Sequence, residues 1–290
     1  MINNLILGHN PFIGINHESQ NRGIQKAMKF QNIDSILSFI EKSYGAGIDR
    51  MMLSTHPLAV QLCKKIVKSK LEERITFLPL VPYMQKYIRQ ANESGILNMV
   101  GSLIETMGIK KGISALSKAG LAKILNNPKR LIESLIDLEF DCFKKLHCDR
   151  VFLHNALTDL AIGLDDPIPI KIFKEYIENR LKLNVGFGTL NLAIAIEQFS
   201  AWGLPGEYFM APFNKLGHQM NPSVKVNLAA LQNNQDINIL AMSTLASGAL
   251  RPEEAFQFLN SINNIDSIVV GISSEKHLAD TVASFRKFSV

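Results

Sequence analysis

The chain has 290 residues, of which 47% are hydrophobic and 20% are charged, a composition typical of a globular protein with a sizeable core and not of a disordered chain. Its formal net charge is +5, from 31 Lys and Arg residues against 26 Asp and Glu residues. Because the basic residues are scattered over helical segments, the charge does not favour a nucleic-acid partner, whereas an anionic small molecule is compatible with it.

The cysteines and the apolar runs indicate the compartment. Cys63, Cys142 and Cys148 form no CxxC pair and are odd in number, which favours reduced thiols over a disulfide framework or a zinc ribbon. The N-terminal run MINNLILGHN has no basic region and is too short for a signal peptide. No run reaches the roughly 18 apolar residues of a membrane span. We therefore expect a soluble, cytoplasmic protein.

Short apolar runs alternate with helical stretches along the chain. Several runs are apolar nearly throughout, as are strands buried on both faces of a parallel sheet. The helical stretches carry start signals, such as Pro57 and Pro169 in first turns, and one of them stops at Gly203. The eight predicted strands are residues 5–7, 50–54, 75–80, 150–153, 184–188, 208–211, 237–242 and 267–270.

This alternation predicts an α/β fold, a (β/α)8 TIM barrel that occupies residues 1–290 as a single domain. A doubly wound open sheet is the competing architecture, and it would usually carry a GxGxxG phosphate fingerprint after its first strand. The first strand here runs into GHNPFIG instead. The barrel is therefore the predicted fold.

The connection between the third and fourth predicted strands is much longer than the others. Residues 83–149 read as several helices, with lysines on their amphipathic pieces. The simplest interpretation is a helical insertion with a solvated face. Insertions after a barrel strand lie at the active-site end, so a lid over the barrel mouth is a second interpretation. A helix that lies on a membrane surface is a third.

Three of the predicted strands end on a histidine, at His9, His56 and His154. In a parallel barrel all strands end at the same face, so residues that are far apart in the sequence meet there. We therefore predict an active site at the C-terminal mouth of the barrel, with these three histidines as its catalytic residues. The predicted substrate-binding residues follow strands in the same way: Asn10, Asn155, Asn191, Asn214 and His218.

Three interpretations of the histidines are open. In the first, the imidazoles bind one divalent metal, as in catalytic zinc sites with three histidines, although the chain has no HxH or HExxH pair. In the second, they act as general acids or bases while the asparagines hydrogen-bond a polar substrate. In the third, they are hydrogen-bonded structural residues.

The segment VVGISSEKHL predicts an anion site after the last strand. Its glycine turn places Ser273 and Ser274 at a helix N-terminus, where backbone N–H groups and the helix dipole attract anions. The loops after strands seven and eight of a barrel often bind phosphate. Ordinary helix capping by serine is the alternative.

Two C-terminal segments, INILAMSTLASGALRPEE and IDSIVVGISSEKHLADTVASF, resemble the last two βα units of the aldo-keto reductase superfamily. The runs LILGHNPFIG and CDRVFLHN resemble the first and fourth strands of that family. The likeness covers most of the chain in order, outside the insertion. It implies a barrel of aldo-keto reductase type and an oxidoreductase that uses NADP.

The resemblance also implies roles for single residues. His154 matches the family histidine that orients and polarises the substrate carbonyl, and Phe213 falls near the aromatic ring that stacks on the nicotinamide. The positions implied for the cofactor phosphates are Ser243, Leu245 and Gly248 for the pyrophosphate, and Gly271, Ser273 and Ser274 for the adenosine phosphate.

The other catalytic groups of the family are missing from the matching positions. Its aspartate and proton-donating tyrosine are replaced within MMLSTHPLAVQL, and its third-strand lysine is replaced after RITFLPL. A phenol needs a neighbouring cation to donate its proton readily near neutral pH. We therefore predict a rebuilt set in which His154 polarises or protonates the substrate and His56 replaces the tyrosine or lysine. Tyr83, just past the third strand, is a further substitute.

The leading functional prediction is an aldo-keto reductase-like oxidoreductase that acts on a small polar, phosphorylated or carbonyl-bearing substrate. The first alternative is a histidine-dependent lyase, isomerase or hydrolase, with or without a metal, that does not use nicotinamide. The second is a non-catalytic binding protein on the same fold, because a fold does not decide a function. A small molecule is the expected partner in the first two cases.

Overall fold

The structure, a computed structural model, describes residues 2–14, 30, 32–95, 98 and 128–288. Eight parallel strands close into a barrel in which β1 pairs with both β2 and β8. The predicted (β/α)8 TIM barrel is confirmed, and every predicted strand overlaps an observed one. The strands are β1 (Asn4–Gly8), β2 (Arg50–Ser54), β3 (Thr76–Val81), β4 (Arg150–Leu153), β5 (Asn184–Gly188), β6 (Phe209–Pro212), β7 (Ile239–Met242) and β8 (Ile265–Gly271).

The described residues form ten α-helices around the barrel. Local sequence starts several of them: Asn32 caps the first helix in a capping box with Ser35, and Pro57 and Pro252 open two others. The helices are α1 (Ile33–Gly45), α2 (Pro57–Ser69), α3 (Met84–Ser94), α4 (Pro128–Phe140), α5 (Asn155–Gly163), α6 (Ile168–Glu175), α7 (Leu192–Ala201), α8 (Val224–Asn233), α9 (Pro252–Asn260) and α10 (Glu275–Arg286).

Two hydrophobic cores hold these layers together. The outer core lies between the sheet and the helices and contains a group of edge-on aromatic rings, Phe187, Phe199 and Phe209. The inner core fills the barrel with side chains from alternate strand positions: Ile6, Met52, Leu78, Phe152, Met210 and Leu240. Period-two alternation along each strand therefore decides which side chains reach the barrel axis.

Three strands end in glycine at the C-terminal mouth of the barrel. Gly8, Gly188 and Gly271 are the last residues of β1, β5 and β8. Gly8 follows the interior residue Ile6 by two positions, so a side chain there would project into the mouth. A Cβ built at any of the three glycines would lie 3.0–3.3 Å from neighbouring atoms, so the strand ends pack too closely there for a side chain.

The predicted insertion is described at its two ends. Helix α3 is its first helix and α4 its last, whereas residues 96–97 and 99–127 lie outside the described residues. The lid and the membrane-surface helix fall mainly on those residues and stay predictions. No helix of the described part is both long and apolar enough to cross a membrane.

Candidate active site

The structure brings the three predicted histidines together at the barrel mouth. His9 follows β1, His56 is the N-cap of α2 after β2, and His154 follows β4 as the N-cap of α5. The charges of His56 and His154 both act on the pKa of His9, so both rings lie within electrostatic range of His9. Their catalytic role stays a prediction, to which the geometry adds detail.

His9 is the most deeply buried of the three, with 7% of its surface exposed. Burial lowers the pKa of His9 to about 4, because the charged imidazolium loses its hydration. A hydrogen bond with the backbone of Met52 acts in the opposite direction, and repulsion from His56 and His154 lowers the pKa further. His9 is therefore a neutral imidazole near pH 7.

His56 and His154 are fixed by the same local hydrogen bond. Nδ1 of His56 accepts from the backbone N–H of Leu58 at 3.1 Å, and Nδ1 of His154 accepts from that of Ala156 at 3.2 Å. A ring nitrogen that accepts carries no proton, so the neutral ring holds its proton on Nε2. The cap thus assigns the tautomer of both rings and leaves each with an Nε2–H donor.

The protonation of these two rings follows from their surroundings. Burial lowers the pKa of His154 to about 4. Burial also lowers the pKa of His56, and the nearby Arg89 guanidinium lowers it further. The His56 ring makes an edge contact with Tyr83, with 5.0 Å between ring centroids. Near pH 7 the mouth therefore holds neutral imidazoles that donate hydrogen bonds from Nε2.

A cavity of about 420 Å³ runs from the mouth towards the loops after β7 and β8. His9 and Asn10 lie in its wall. Its inner part is apolar and lined by Met52, Leu80, Met210, Met242 and Val269. Its outer part is polar and lined by Ser243, Thr244, Ser247, Arg251, Ser273, His277, Asp280 and Thr281. The cavity thus joins an apolar pocket next to His9 to a polar outer end that contains a cation, whereas His56 and His154 are not among its lining residues.

Five of the seven predicted cofactor-binding residues line this cavity: Ser243, Leu245, Gly248, Gly271 and Ser273. The other two do not fit the roles implied for them. Phe213 is fully buried in the outer core, so its ring has no open face for a nicotinamide to stack on. The Ser274 hydroxyl accepts from the His277 backbone N–H at 3.2 Å, so it caps α10, as the alternative interpretation held.

The loop after β7 has an unusual backbone. Ser243, Ala246, Ser247 and Gly248 all have positive φ, between 44° and 100°. The loop after β6 supports it: Ser243 donates to the Gln219 side chain at 2.9 Å, and the Ser247 hydroxyl lies 3.3 Å from His218 Nε2. His218 therefore lies against the outer cavity wall and not in the group of three histidines.

The predicted asparagines fall into different environments. Asn10 lines the cavity, whereas Asn155 and Asn191 are half-buried at the starts of α5 and α7, outside its lining. Asn214 is fully buried, and its amide bonds both the backbone N–H and the carbonyl of His218 at 2.8 Å. The Asn214 side chain is thus used in this turn, and the substrate-binding role predicted for it stays a prediction.

Several residues at the site were not predicted. Arg251 lies in the cavity wall directly before Pro252, which opens α9. An arginine in the loop after the seventh strand could have indicated an anion-binding residue from the sequence. Glu139 is 3% exposed and accepts hydrogen bonds from Thr55 and Tyr87 behind the histidines. No local pattern pointed to Glu139, because its partners lie far away in the sequence.

The metal interpretation gains no support from the geometry. Within the residues that the structure describes, no group of three or more His, Cys, Asp or Glu side chains is placed to hold a metal ion. Nδ1 of His56 and Nδ1 of His154 are already occupied by backbone N–H groups. The arrangement is suited instead to hydrogen-bond donation from Nε2.

No model of a protein family matches the sequence, and no curated protein matches it. Solved structures match the fold. A Pseudomonas aeruginosa protein assigned to the aldo-keto reductases is 13% identical, with a TM-score of 0.62 over 99% of this chain and 91% of that chain. A Brucella melitensis aldo/keto reductase is 11% identical, with a TM-score of 0.53 over 99% of this chain and 90% of that one.

A third match is an aldo-keto reductase of Bombyx mori, solved in complex with NADP. It is 11% identical, with a TM-score of 0.51 over 99% of this chain and 84% of that chain. Identities this low establish the architecture and leave the chemistry to the site itself. The barrel is similar in fold to those of aldo-keto reductases, as the resemblance implied.

Proposed function

We propose that this protein reduces a small carbonyl compound with NADPH at the C-terminal mouth of the barrel. The observation that carries the proposal is a cavity that His9 lines and that reaches the β7 and β8 loops, at the same rim of the barrel as the Nε2–H donors of His56 and His154, which their caps fix. Fold similarity to aldo-keto reductases, one of them bound to NADP, supports the same class of reaction.

The cavity has the chemistry that a nicotinamide dinucleotide needs. Its apolar inner part, between Met52 and Met242, suits the nicotinamide ring. In its polar outer part, Ser247, Ser273 and Arg251 suit phosphate groups, and the N-terminus of α10 adds the favourable end of a helix dipole. When it is bound, the cofactor supplies a hydride to the carbonyl carbon.

His154 polarises the carbonyl. Its Nε2–H donates to the carbonyl oxygen as a neutral group, and this hydrogen bond strengthens while negative charge grows on that oxygen. His154 is orientated before the substrate arrives, because the Ala156 N–H holds its Nδ1. This preorganisation is why a neutral imidazole with a lowered pKa is effective there.

His56 provides the proton in place of the missing tyrosine and lysine. In its imidazolium form, in which Nδ1 is protonated and the Leu58 cap is broken, it transfers the Nε2 proton to the alkoxide oxygen and is left as the neutral Nδ1–H tautomer. Exchange with water, which removes the Nδ1 proton and returns one to Nε2, restores the capped ring. Burial, the nearby Arg89 charge and the hydrogen bond from Leu58 N–H to Nδ1 all favour the neutral ring, so the imidazolium has a lowered pKa and gives up its proton more readily than a free imidazolium. His9 is uncharged near pH 7, because burial lowers its pKa to about 4, so it places no positive charge at the inner end of the site.

The proposal is tested with a panel of small aldehydes and ketones, following NADPH oxidation by absorbance and NADPH binding by fluorescence. We expect His154→Gln to lower kcat by about 100-fold or more, the effect of removing one donor to a developing oxyanion. His147→Gln is the matched control, since His147 is exposed and precedes β4 at the opposite end of the barrel. No binding of NADPH at millimolar concentration would exclude the proposal.

A further inference from the structure

The three cysteines lie together in the outer core, and the proposed reduction uses none of them. Cys63 is on α2, and Cys142 lies in the short 3-10 turn, Asp141–Phe143, that follows α4 and packs against α2. Cys148 precedes β4 and bridges to Phe77 of β3. All three are free thiols, and Cys142 and Cys148 pack against the same core that contains Cys63. The fold thus brings Cys63 to two cysteines that are distant in sequence.

The hydrogen bonds of the thiols join Cys63 to Cys142 and leave Cys148 aside. A hydrogen bond with Cys142 raises the pKa of the Cys63 thiol, and burial raises it further, so Cys63 keeps its proton and donates to the Cys142 sulfur. The Cys148 sulfur instead lies 3.9 Å from the Phe143 carbonyl oxygen. Burial raises the pKa of Cys148 to about 12, so this thiol is scarcely ionised near pH 7.

The two paired thiols differ in their access to solvent. Cys63 is 2% exposed, whereas Cys142 is partly exposed at the end of α4. A dissolved oxidant therefore reaches Cys142 first. An oxidised Cys142 has the Cys63 thiol as its immediate neighbour, and a thiol beside a sulfenic acid condenses with it to a disulfide. This pairing of an accessible cysteine with a resolving cysteine is common among residues that respond to oxidants.

We propose that hydrogen peroxide converts Cys142 and Cys63 into a disulfide, with Cys142 as the oxidised residue and Cys63 as the resolving residue. First, the Cys142 thiolate attacks the peroxide, so an S–O bond forms and the O–O bond breaks. The hydroxide that leaves takes up the proton that the thiol gave up and becomes water. The product is a sulfenic acid at Cys142.

In the second step the Cys63 sulfur attacks the Cys142 sulfur. An S–S bond forms, the S–O bond breaks, and the hydroxide that leaves takes the Cys63 proton and becomes water. Contact between the two side chains favours this step although Cys63 stays protonated. Two thiols are thus oxidised while one peroxide is reduced to two water molecules. The inference is independent of the proposed reductase, since neither step involves its substrate or NADPH.

The disulfide is sought in reduced, folded protein treated with hydrogen peroxide near pH 7. The intact mass should fall by that of two hydrogen atoms, and a digest without reductant should contain two peptides joined at Cys63 and Cys142. Because the bond closes a long loop between α2 and the end of α4, the melting temperature should rise by at least about 3 °C. Dithiothreitol should reverse both changes.

Three variants assign the roles within the cluster. Cys148→Ser is the matched control and should form the same disulfide as wild type. Cys63→Ser leaves the sulfenic acid without its partner, so peroxide with dimedone should give an adduct at Cys142. Cys142→Ser should form no disulfide, and peroxide should not change its melting temperature.

The peptide map of wild-type protein decides the proposal even where a variant folds poorly. A disulfide between Cys142 and Cys148 would overturn it, as would a sulfinic acid at Cys142 without the joined peptides. Three intact thiols after treatment with millimolar peroxide would also overturn it. The same treatment of protein unfolded in urea checks that the reagent is active.

Discussion

Thr55 donates a hydrogen bond to the carboxylate of Glu139, although 84 residues separate them in the sequence. The same carboxylate accepts from the Tyr87 hydroxyl and lies 3.5 Å from the Lys86 ammonium. Thr55 Oγ1 in turn accepts from the Tyr83 backbone N–H at 3.0 Å. These contacts tie the end of β2 to the end of β3, directly beside His56.

Replacing Thr55 tests this connection. Thr55→Val is nearly isosteric and removes the hydroxyl that links the Tyr83 N–H to Glu139, which leaves these two groups only their longer contact of 3.4 Å with each other. We therefore expect about 1–3 kcal/mol less unfolding free energy in urea. Because His56 follows Thr55 and contacts Tyr83, kcat should fall more than KM changes. Thr55→Ser keeps the hydroxyl and should restore both properties. A loss as large in Thr55→Ser would show that the methyl group matters and not the hydrogen bond.

The stability of the protein should decrease as pH falls from about 6.5 to about 4. His9 and His154 have pKa values of about 4 in the folded protein, below the usual 6.5, so in this interval the unfolded chain takes up protons that the folded chain does not. Each ring accounts for at most about 3 kcal/mol. Urea unfolding across this range should show a shallower pH slope in His9→Gln, whereas the exposed His147→Gln should keep the wild-type slope.

The reduction rate should decrease as pH rises. The pKa of His56 lies below the usual range, so above that pKa each further pH unit lowers the imidazolium fraction about 10-fold, and kcat follows it. The profile should be measured with NADPH and substrate saturating. A profile that is unchanged in His56→Gln would assign the proton to another group.

Gly186 should not tolerate a side chain. A Cβ built at Gly186 would overlap the Phe152 ring inside the barrel, and overpacking of this kind removes about 1–3 kcal/mol of stability or more. Gly163 at the end of α5 has nothing within 4 Å of a built Cβ. We therefore expect Gly186→Ala to lower the melting temperature and Gly163→Ala to leave it equal or higher. Equal melting temperatures for both variants would contradict this packing.

Arg251 should contribute to cofactor binding. It lies in the polar outer wall of the cavity. A hydrogen bond from its guanidinium to a phosphate is charge-assisted and therefore stronger than one from the neutral hydroxyls beside it. Arg251→Ala should raise the Kd for NADPH at least about 10-fold, with a smaller dependence on salt than wild type shows. Lys129→Ala, an exposed cation on α4, is the control. An unchanged Kd in Arg251→Ala would place the phosphates elsewhere.

Local sequence was sufficient for the architecture. A buried parallel strand reads as an apolar run, and helix ends carry caps such as Asn32 and Ser274, so the eight strands and their alternation with helices followed from short windows of residues. The meeting of His9, His56 and His154 also followed, because parallel strands in a closed barrel must end at one rim.

Only the tertiary structure decided which side chains are free to act there. Asn214 and Phe213 were both predicted to bind substrate or cofactor. The Asn214 side chain instead hydrogen-bonds the His218 backbone within a turn, and the Phe213 ring is buried in the core. Glu139 reaches Thr55 only because α4 packs against β3, which pairs with β2. Local sequence encodes backbone conformation and the direction of burial, whereas hydrogen-bond partners depend on how distant elements pack, which no short window contains.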